Sequence, residues 1–225
     1  MVVRAHSFEV QRGVAEHVHV ELDLRAGLPS FAVIGLAGAA ARDARERVRA
    51  AVLNSGFAFP RKRVTVNLAP ASSRRTGAAF DLAIACCVLA VQDQLDARRL
   101  VRIGLFAELG LGGSLRPCSG VALAAQAADH AGLDGLIVAY VDLVDARRAA
   151  TLAIAGARDL REVAALLAPG PPKSPVRSLE RAATARSTRG SPAGARAAGP
   201  EDPRGTPVRA DAAVAPDGRA RARPP

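Results

Sequence analysis

The chain has 225 residues with 31 Lys+Arg against 21 Asp+Glu, a formal net charge of +10, and a length that admits one or two domains. Three cysteines, Cys86, Cys87 and Cys118, give no disulfide framework. The longest apolar stretch, 82–91, is too short to span a bilayer, and the first residues lack the cationic start and apolar run of a secretory leader, so a soluble cytoplasmic protein without membrane contact is expected.

Residues 6–10 and 15–24 read as strands joined by a turn at Gly13. The second alternates Val18, Val20, Leu22 and Leu24 with His17, His19, Glu21 and Asp23, the period of two of a half-buried strand. Gly27-Leu28-Pro29 breaks the chain, and 31–36 is a more fully apolar third strand closed by Gly35 and Gly38. A helix over about 39–55 sets Ala41, Ala44, Val48, Ala51, Val52 and Ser55 on one face and Arg42, Arg45, Glu46 and Arg49 on the other. Asp43/Arg47 and Arg42/Glu46 stand four apart, the spacing of surface ion pairs, and Gly56 suits the helix stop. Residues 61–68 form a strand, a basic loop Ser72-Ser73-Arg74-Arg75 follows, and 78–91 is apolar nearly all round, hence a buried helix. Residues 101–109 and 114–117 form a hairpin turning through Gly110, Gly112 and Gly113. A helix at 120–130, a strand at 135–140, a helix at 142–150, a short strand near 152–154 and a helix at 159–167 complete the series. Strands come first and then alternate with helices, which predicts an α/β (α+β) fold with a mixed sheet covered by helices.

Beyond residue 168 the composition changes. Residues 1–168 carry 20 Lys+Arg against 16 Asp+Glu, whereas the last 57 carry 11 against 5 and hold 11 of the 15 prolines. One globular domain, 1–168, and a Pro/Arg/Ala-rich tail, 169–225, are expected. The tail has too few large apolar side chains to offset the entropy of ordering and is expected to be disordered.

Chemical motifs are sparse. A phosphate-binding loop needs a lysine after glycine, and the only lysines, Lys62 and Lys173, do not follow one, so no ATP hydrolysis by that route is expected. Gly110-x-Gly112 precedes a strand and lacks a third glycine, which fits a hairpin turn. No C-x-x-C or His pair has ligand spacing, so no metal site is expected, and His17 and His19 read as a solvated strand face. Ser72, Ser73, Ser114 and Ser119 are nucleophiles only beside a base. No catalytic or cofactor-binding residue is therefore assigned. The cations Arg61, Lys62, Arg63, Arg74 and Arg75 bracket one strand and its following loop. They read either as a solvated strand end or as a phosphate-contacting nucleic-acid patch. With one Tyr and no Trp there is no stacking platform, so contact would be with the backbone and non-specific.

Several strings carry a resemblance: R-A-H-S-F at 4–8, V-E-L-D-L-R-A-G-L-P-S-F at 20–31, R-D-A-R-E-R-V-R-A-A-V-L-N-S-G-F at 42–57, R-V-T-V-N-L-A-P at 63–70, G-A-A-F-D-L-A-I-A at 77–85 and E-L-G-L-G-G-S-L-R-P at 108–117. In this order, over nearly all of 1–168, they resemble the N-terminal domain of the ComM/YifB family of Mg-chelatase-like AAA+ ATPases. Ala37 stands where that family usually has Pro, Ala107 where it has Gly and Gly112 where it has Asp. The family domain is similar to the Lon protease domain, which implies a Lon-like sandwich. The Ser–Lys dyad of Lon-type proteases corresponds to Ala79 and to a position near Ala122, and alanine can do neither job. Family members continue into a module that binds ATP and Mg; here the composition shift suggests a truncated or frame-shifted product. The resemblance implies non-specific DNA as partner, DNA processing in natural transformation or branch migration, and assembly of a homo-oligomeric ring. The alternatives are a component of an ATP-dependent peptidase, against which the missing dyad counts, and a protein–protein scaffold that binds no DNA.

Overall fold

The computed structural model describes residues 1–70 and 77–168. Strands β1 (Val2–Gln11) and β2 (Val14–Arg25) pair antiparallel from Val2 opposite Asp23 to Gln11 opposite Val14. Arg12 and Gly13 close the hairpin with φ of 49° and 79°, the double positive φ of a type I′ turn, whose twist matches that of the strands. Next come β3 (Ser30–Ile34), α1 (Gly38–Asn54) and β4 (Arg63–Ala69), with β3 parallel to β4 and β4 antiparallel to β2. A 3₁₀ turn, Ala78–Phe80, leads into α2 (Asp81–Ala90). The chain then runs through α3 (Ala97–Leu100), β5 (Ile103–Phe106), the small hairpin β6 (Glu108–Leu109) and β7 (Leu115–Arg116), and α4 (Val121–His130). It ends with β8 (Gly135–Ala139), α5 (Leu143–Ala149), β9 (Ala153–Ala157) and α6 (Leu160–Leu166).

Seven strands form one mixed sheet in the order β3-β4-β2-β1-β5-β8-β9, as expected. One face presents Val18, Val20, Leu22, Val64 and Val66 to α1 and α2. The other presents Phe8, Leu136, Val138 and Ile154 to α4 and α5. Every residue of α2 is buried, which explains its lack of a polar face. In α1 the buried residues are Ala44, Val48, Ala51 and Val52, spaced as one helical stripe.

Several details differ from the sequence expectation. The stretch 101–109 is not one hairpin strand: β5 joins the main sheet in parallel with β1 and β8, and only β6 pairs with β7. β3 is an edge strand in which Ser30, Ala32 and Ile34 are exposed; a run of apolar residues does not reveal whether a neighbour covers its second face. β9 begins at Ala153 and extends to Ala157, because pairing with β8 carries it past Ile154. Arg47 does not pair with Asp43. Its Nε donates to Asp81 Oδ2 at 2.6 Å and its Nη2 to Oδ1 at 3.3 Å, joining α1 to the first turn of α2. Asp81 is 1% exposed. Burial raises its carboxyl to about 6, against the pull of the Arg47 hydrogen bonds, and those bonds in turn raise the Arg47 guanidinium. The loop 71–76 and the tail 169–225 lie outside the described residues.

Candidate functional site

The basic surface is built around the start of β4. Arg61, Lys62 and Arg63 are all exposed, and the Ser30 amide donates to the Lys62 carbonyl at 3.4 Å, tying the run to the edge strand. Beside it lies a groove of about 400 Å³ lined by Ser30, Phe31, Arg45, Glu46, Arg49 and Phe59, among others. The residue before Phe59 is tethered to the segment that follows α2. Gln92 Nε2 donates to the Ala58 carbonyl at 2.6 Å, and the Ala58 amide donates to Gln94 Oε1 at 3.0 Å. Phe31 and Phe59 meet at 5.3 Å between ring centroids.

Arg45 Nη1 donates to the Phe31 carbonyl at 3.1 Å, while its buried Nε has no hydrogen-bond partner. The Arg49 guanidinium lies 5.1 Å from the Phe59 ring centroid, a cation–π contact. Arg25 stands directly opposite Arg63 across β2 and β4. Like charges so placed repel, and only Arg25 has a local carboxylate, Asp23. Among the described residues, Arg49, Arg61, Lys62 and Arg63 form no ion pair. The sequence reading named Arg61, Lys62 and Arg63; it saw Arg45 and Arg49 only as an exposed helix face and missed Arg25 and Phe59. The βαβ crossover brings α1 to the run, and the β2–β4 register brings Arg25.

Arg74 and Arg75, with Ser72 and Ser73, lie outside the described residues. Pro70, which precedes that loop, sits at the far end of β4 from Arg63, roughly 20 Å away at the rise of an extended strand. Gly77 and Ala79 line a cavity of about 310 Å³ with Glu9, Gln11, Glu108 and Cys118. This is where the resemblance places a nucleophile. The Cys118 thiol there is pushed up to about 12, first by burial and then by Glu108 and Asp142, and stays protonated at neutral pH. Ala122, the position matched to the lysine, lines a different depression with Asp145 and Arg148.

A third group forms on the β1–β2 hairpin. His6 stands opposite His19 and Phe8 opposite His17, and His6 Nδ1 and His17 Nε2 are 2.9 Å apart. His6 Nε2 lies 3.0 Å from the Val101 carbonyl, which can only accept, so this nitrogen carries the proton. His19 is exposed as expected. His17 is only partly exposed and stacks on Phe8 at 5.3 Å. Burial, with His6 and His19 close by, lowers His17 to about 4; burial likewise lowers His6, against its bond to Val101. The sequence reading overlooked His6. Its signal was the two-residue turn at 12–13, which pairs residues whose numbers sum to 25.

The structure thus defines an α/β domain with a seven-stranded mixed sheet, helices on both faces and a cationic edge. The family described as subunit ChlI of Mg-chelatase matches residues 20–142, more than half of the chain, and the chain belongs to that family. An uncharacterized protein of Mycobacterium tuberculosis is 36% identical over 160 residues, 71% of this chain and 32% of the relative. The competence protein ComM of Haemophilus influenzae is 46% identical over 111 residues, 49% of this chain and 22% of that protein. The uncharacterized protein YifB of Escherichia coli is 40% identical over 118 residues, 52% of this chain and 23% of the relative. The resemblance to ComM and YifB read from the strings is borne out, and the chain spans a third or less of the length of these relatives. Among the described residues no helix is long and apolar enough to cross a membrane.

Proposed function

We propose that residues 1–168 act as a non-catalytic, Lon-like N-terminal domain of a ComM/YifB-type ATPase, and that the cationic edge holds the phosphate backbone of DNA. The observation that carries this reading is Arg25 directly opposite Arg63 across β2 and β4, next to the exposed Arg61 and Lys62. An anion between such groups relieves their repulsion and gains charge-assisted hydrogen bonds. Recognition is non-specific: Phe59, the aromatic residue nearest the run, is already engaged by Arg49 and Phe31. Arg74 and Arg75 belong to the same proposal as a second contact on the DNA. ATP and Mg bind the ATPase module of the longer family members, which also drives DNA processing and assembles a homo-oligomeric ring in the cytoplasm. The word competence in the name of the Haemophilus relative supports this direction.

The test is fluorescence anisotropy with labelled single- and double-stranded DNA across a salt series, comparing the full chain with its R61A/K62A/R63A variant. Each lost phosphate contact flattens the log–log salt slope by about 0.9 on duplex DNA, so three contacts remove up to about 2.7. Because both proteins keep the basic tail, the difference isolates the edge. An unchanged slope and affinity refute the interface. An absence of DNA binding in both favours the scaffold reading.

A further inference from the structure

The geometry points to a three-histidine site for a divalent transition metal of the Zn²⁺ class, built by His6, His17 and His19 on the β1–β2 hairpin. The ligating nitrogens of the three side chains all lie within 4.8 Å of one another. Around a tetrahedral ion with Zn–N bonds of about 2.0–2.1 Å, ligand nitrogens stand roughly 3.3 Å apart. His6 Nδ1 and His17 Nε2, at 2.9 Å, therefore need only open slightly, and His19, exposed and free to change rotamer, closes the remainder. Secondary structure supplies the convergence. His17 and His19 share one side of β2 at the strand period of two, and His6 faces His19 from β1.

One contact suits these residues to a metal better than to solvent. The hydrogen bond from His6 Nε2 to the Val101 carbonyl fixes the tautomer in which Nδ1 is unprotonated, the outer-shell contact typical of metal-bound histidine; without an ion that lone pair accepts from His17 Nε2, and an ion would take the place of the shared proton. Imidazole nitrogens favour Zn²⁺, Cu²⁺ and Ni²⁺ over Mg²⁺ and Ca²⁺. Three protein ligands leave a fourth position, which faces water on the exposed His19 side, so the bound ion carries a solvent molecule. The site is independent of the cationic edge and of the DNA reading.

The test uses the untagged full-length chain and ZnCl₂ alone, read by titration calorimetry, with CoCl₂ as an optical substitute. The expected result is saturable binding of one ion per chain, visible Co²⁺ bands of a tetrahedral nitrogen and oxygen site, and a rise in melting temperature on adding Zn²⁺. His17→Gln and His19→Gln each weaken binding by more than about 10-fold, the scale on which even an outer-shell partner acts. His130→Gln leaves binding unchanged. His19→Gln changes an exposed side chain, so circular dichroism should show an intact fold and the loss is then assigned to the ligand. No saturable binding, undiminished affinity in both folded variants, or a thiolate-to-cobalt charge-transfer band that puts the ion on a cysteine would each overturn the site.

Discussion

Arg47→Met removes the cation facing Asp81 while keeping an apolar stem of similar reach. With Asp81 1% exposed, burial lifts its carboxyl from 3.8 to about 6 even with Arg47 in place. A group so shifted costs the folded state about 3 kcal/mol at neutral pH. Without Arg47 the carboxyl rises further and folds protonated. The proton itself sets a ceiling of about 4 kcal/mol at pH 7 for a carboxyl whose unfolded value is 3.8. Protonation therefore adds only about 1 kcal/mol, and the loss of Arg47 as a hydrogen-bond partner adds about 1–2. The expected destabilisation is about 2–3 kcal/mol, below the roughly 3–5 for a stranded charge, because the carboxyl escapes by taking up a proton. The sign with pH is definite. A carboxyl raised in the folded state lends stability that is lost as pH climbs from 3.8 through the folded value, so the parent protein levels off above about pH 6. In the variant that loss continues past pH 7 at about 1.4 kcal/mol per unit. The chain has no Trp, so urea unfolding followed by far-ultraviolet circular dichroism between pH 5.5 and 8 is the assay. A variant as flat as the parent between pH 6.5 and 7.5 refutes the reasoning, as does a loss below about 1 kcal/mol. Asp81→Asn should abolish the pH term altogether.

Three further substitutions probe the frame that carries these sites. Gly113→Ala should cost about 1–2 kcal/mol in the same urea assay, because φ is +84° and a side chain there is strained. Its Cβ also collides with the Ser55 hydroxyl, so adding Ser55→Ala should recover the steric part and leave the backbone part. Arg12→Asn should stabilise by about 0.5–1 kcal/mol, since residue 12 holds φ of 49° in a type I′ turn where Asn is preferred; an unchanged urea midpoint would refute the turn. Phe8→Ala should cost about 3–5 kcal/mol, for the ring is fully buried against α4, and should loosen His17, which stacks on it. Zn²⁺ affinity falling together with stability would show that coupling.

What the sequence displays is local, and what it hides arises between elements. Helix α2 is plain from residues apolar on every side, and the hairpin is plain from alternation interrupted at Gly13. The openness of β3 cannot be read from Phe31, Val33 and Ile34, because an edge is defined by a strand that is not there. The Arg47–Asp81 pair spans 34 residues, so the nearer Asp43 looked like the partner. The cationic site divides the same way. Arg61, Lys62 and Arg63 stand out as a run, but Arg45 and Arg49 join them only through a crossover whose right-handedness is general, and Arg25 joins through strand register. The hairpin shows how much depends on that last quantity. The turn at Arg12 and Gly13 alone decides that His6 meets His19 and Phe8 meets His17. A one-residue slip of β2 would exchange its two faces, turning His17 and His19 under α2 and Val18 and Val20 into solvent. The hydrophobic cost of burying imidazoles beneath an apolar helix forbids that slip, so the same force that fixes the core also gathers the three histidines.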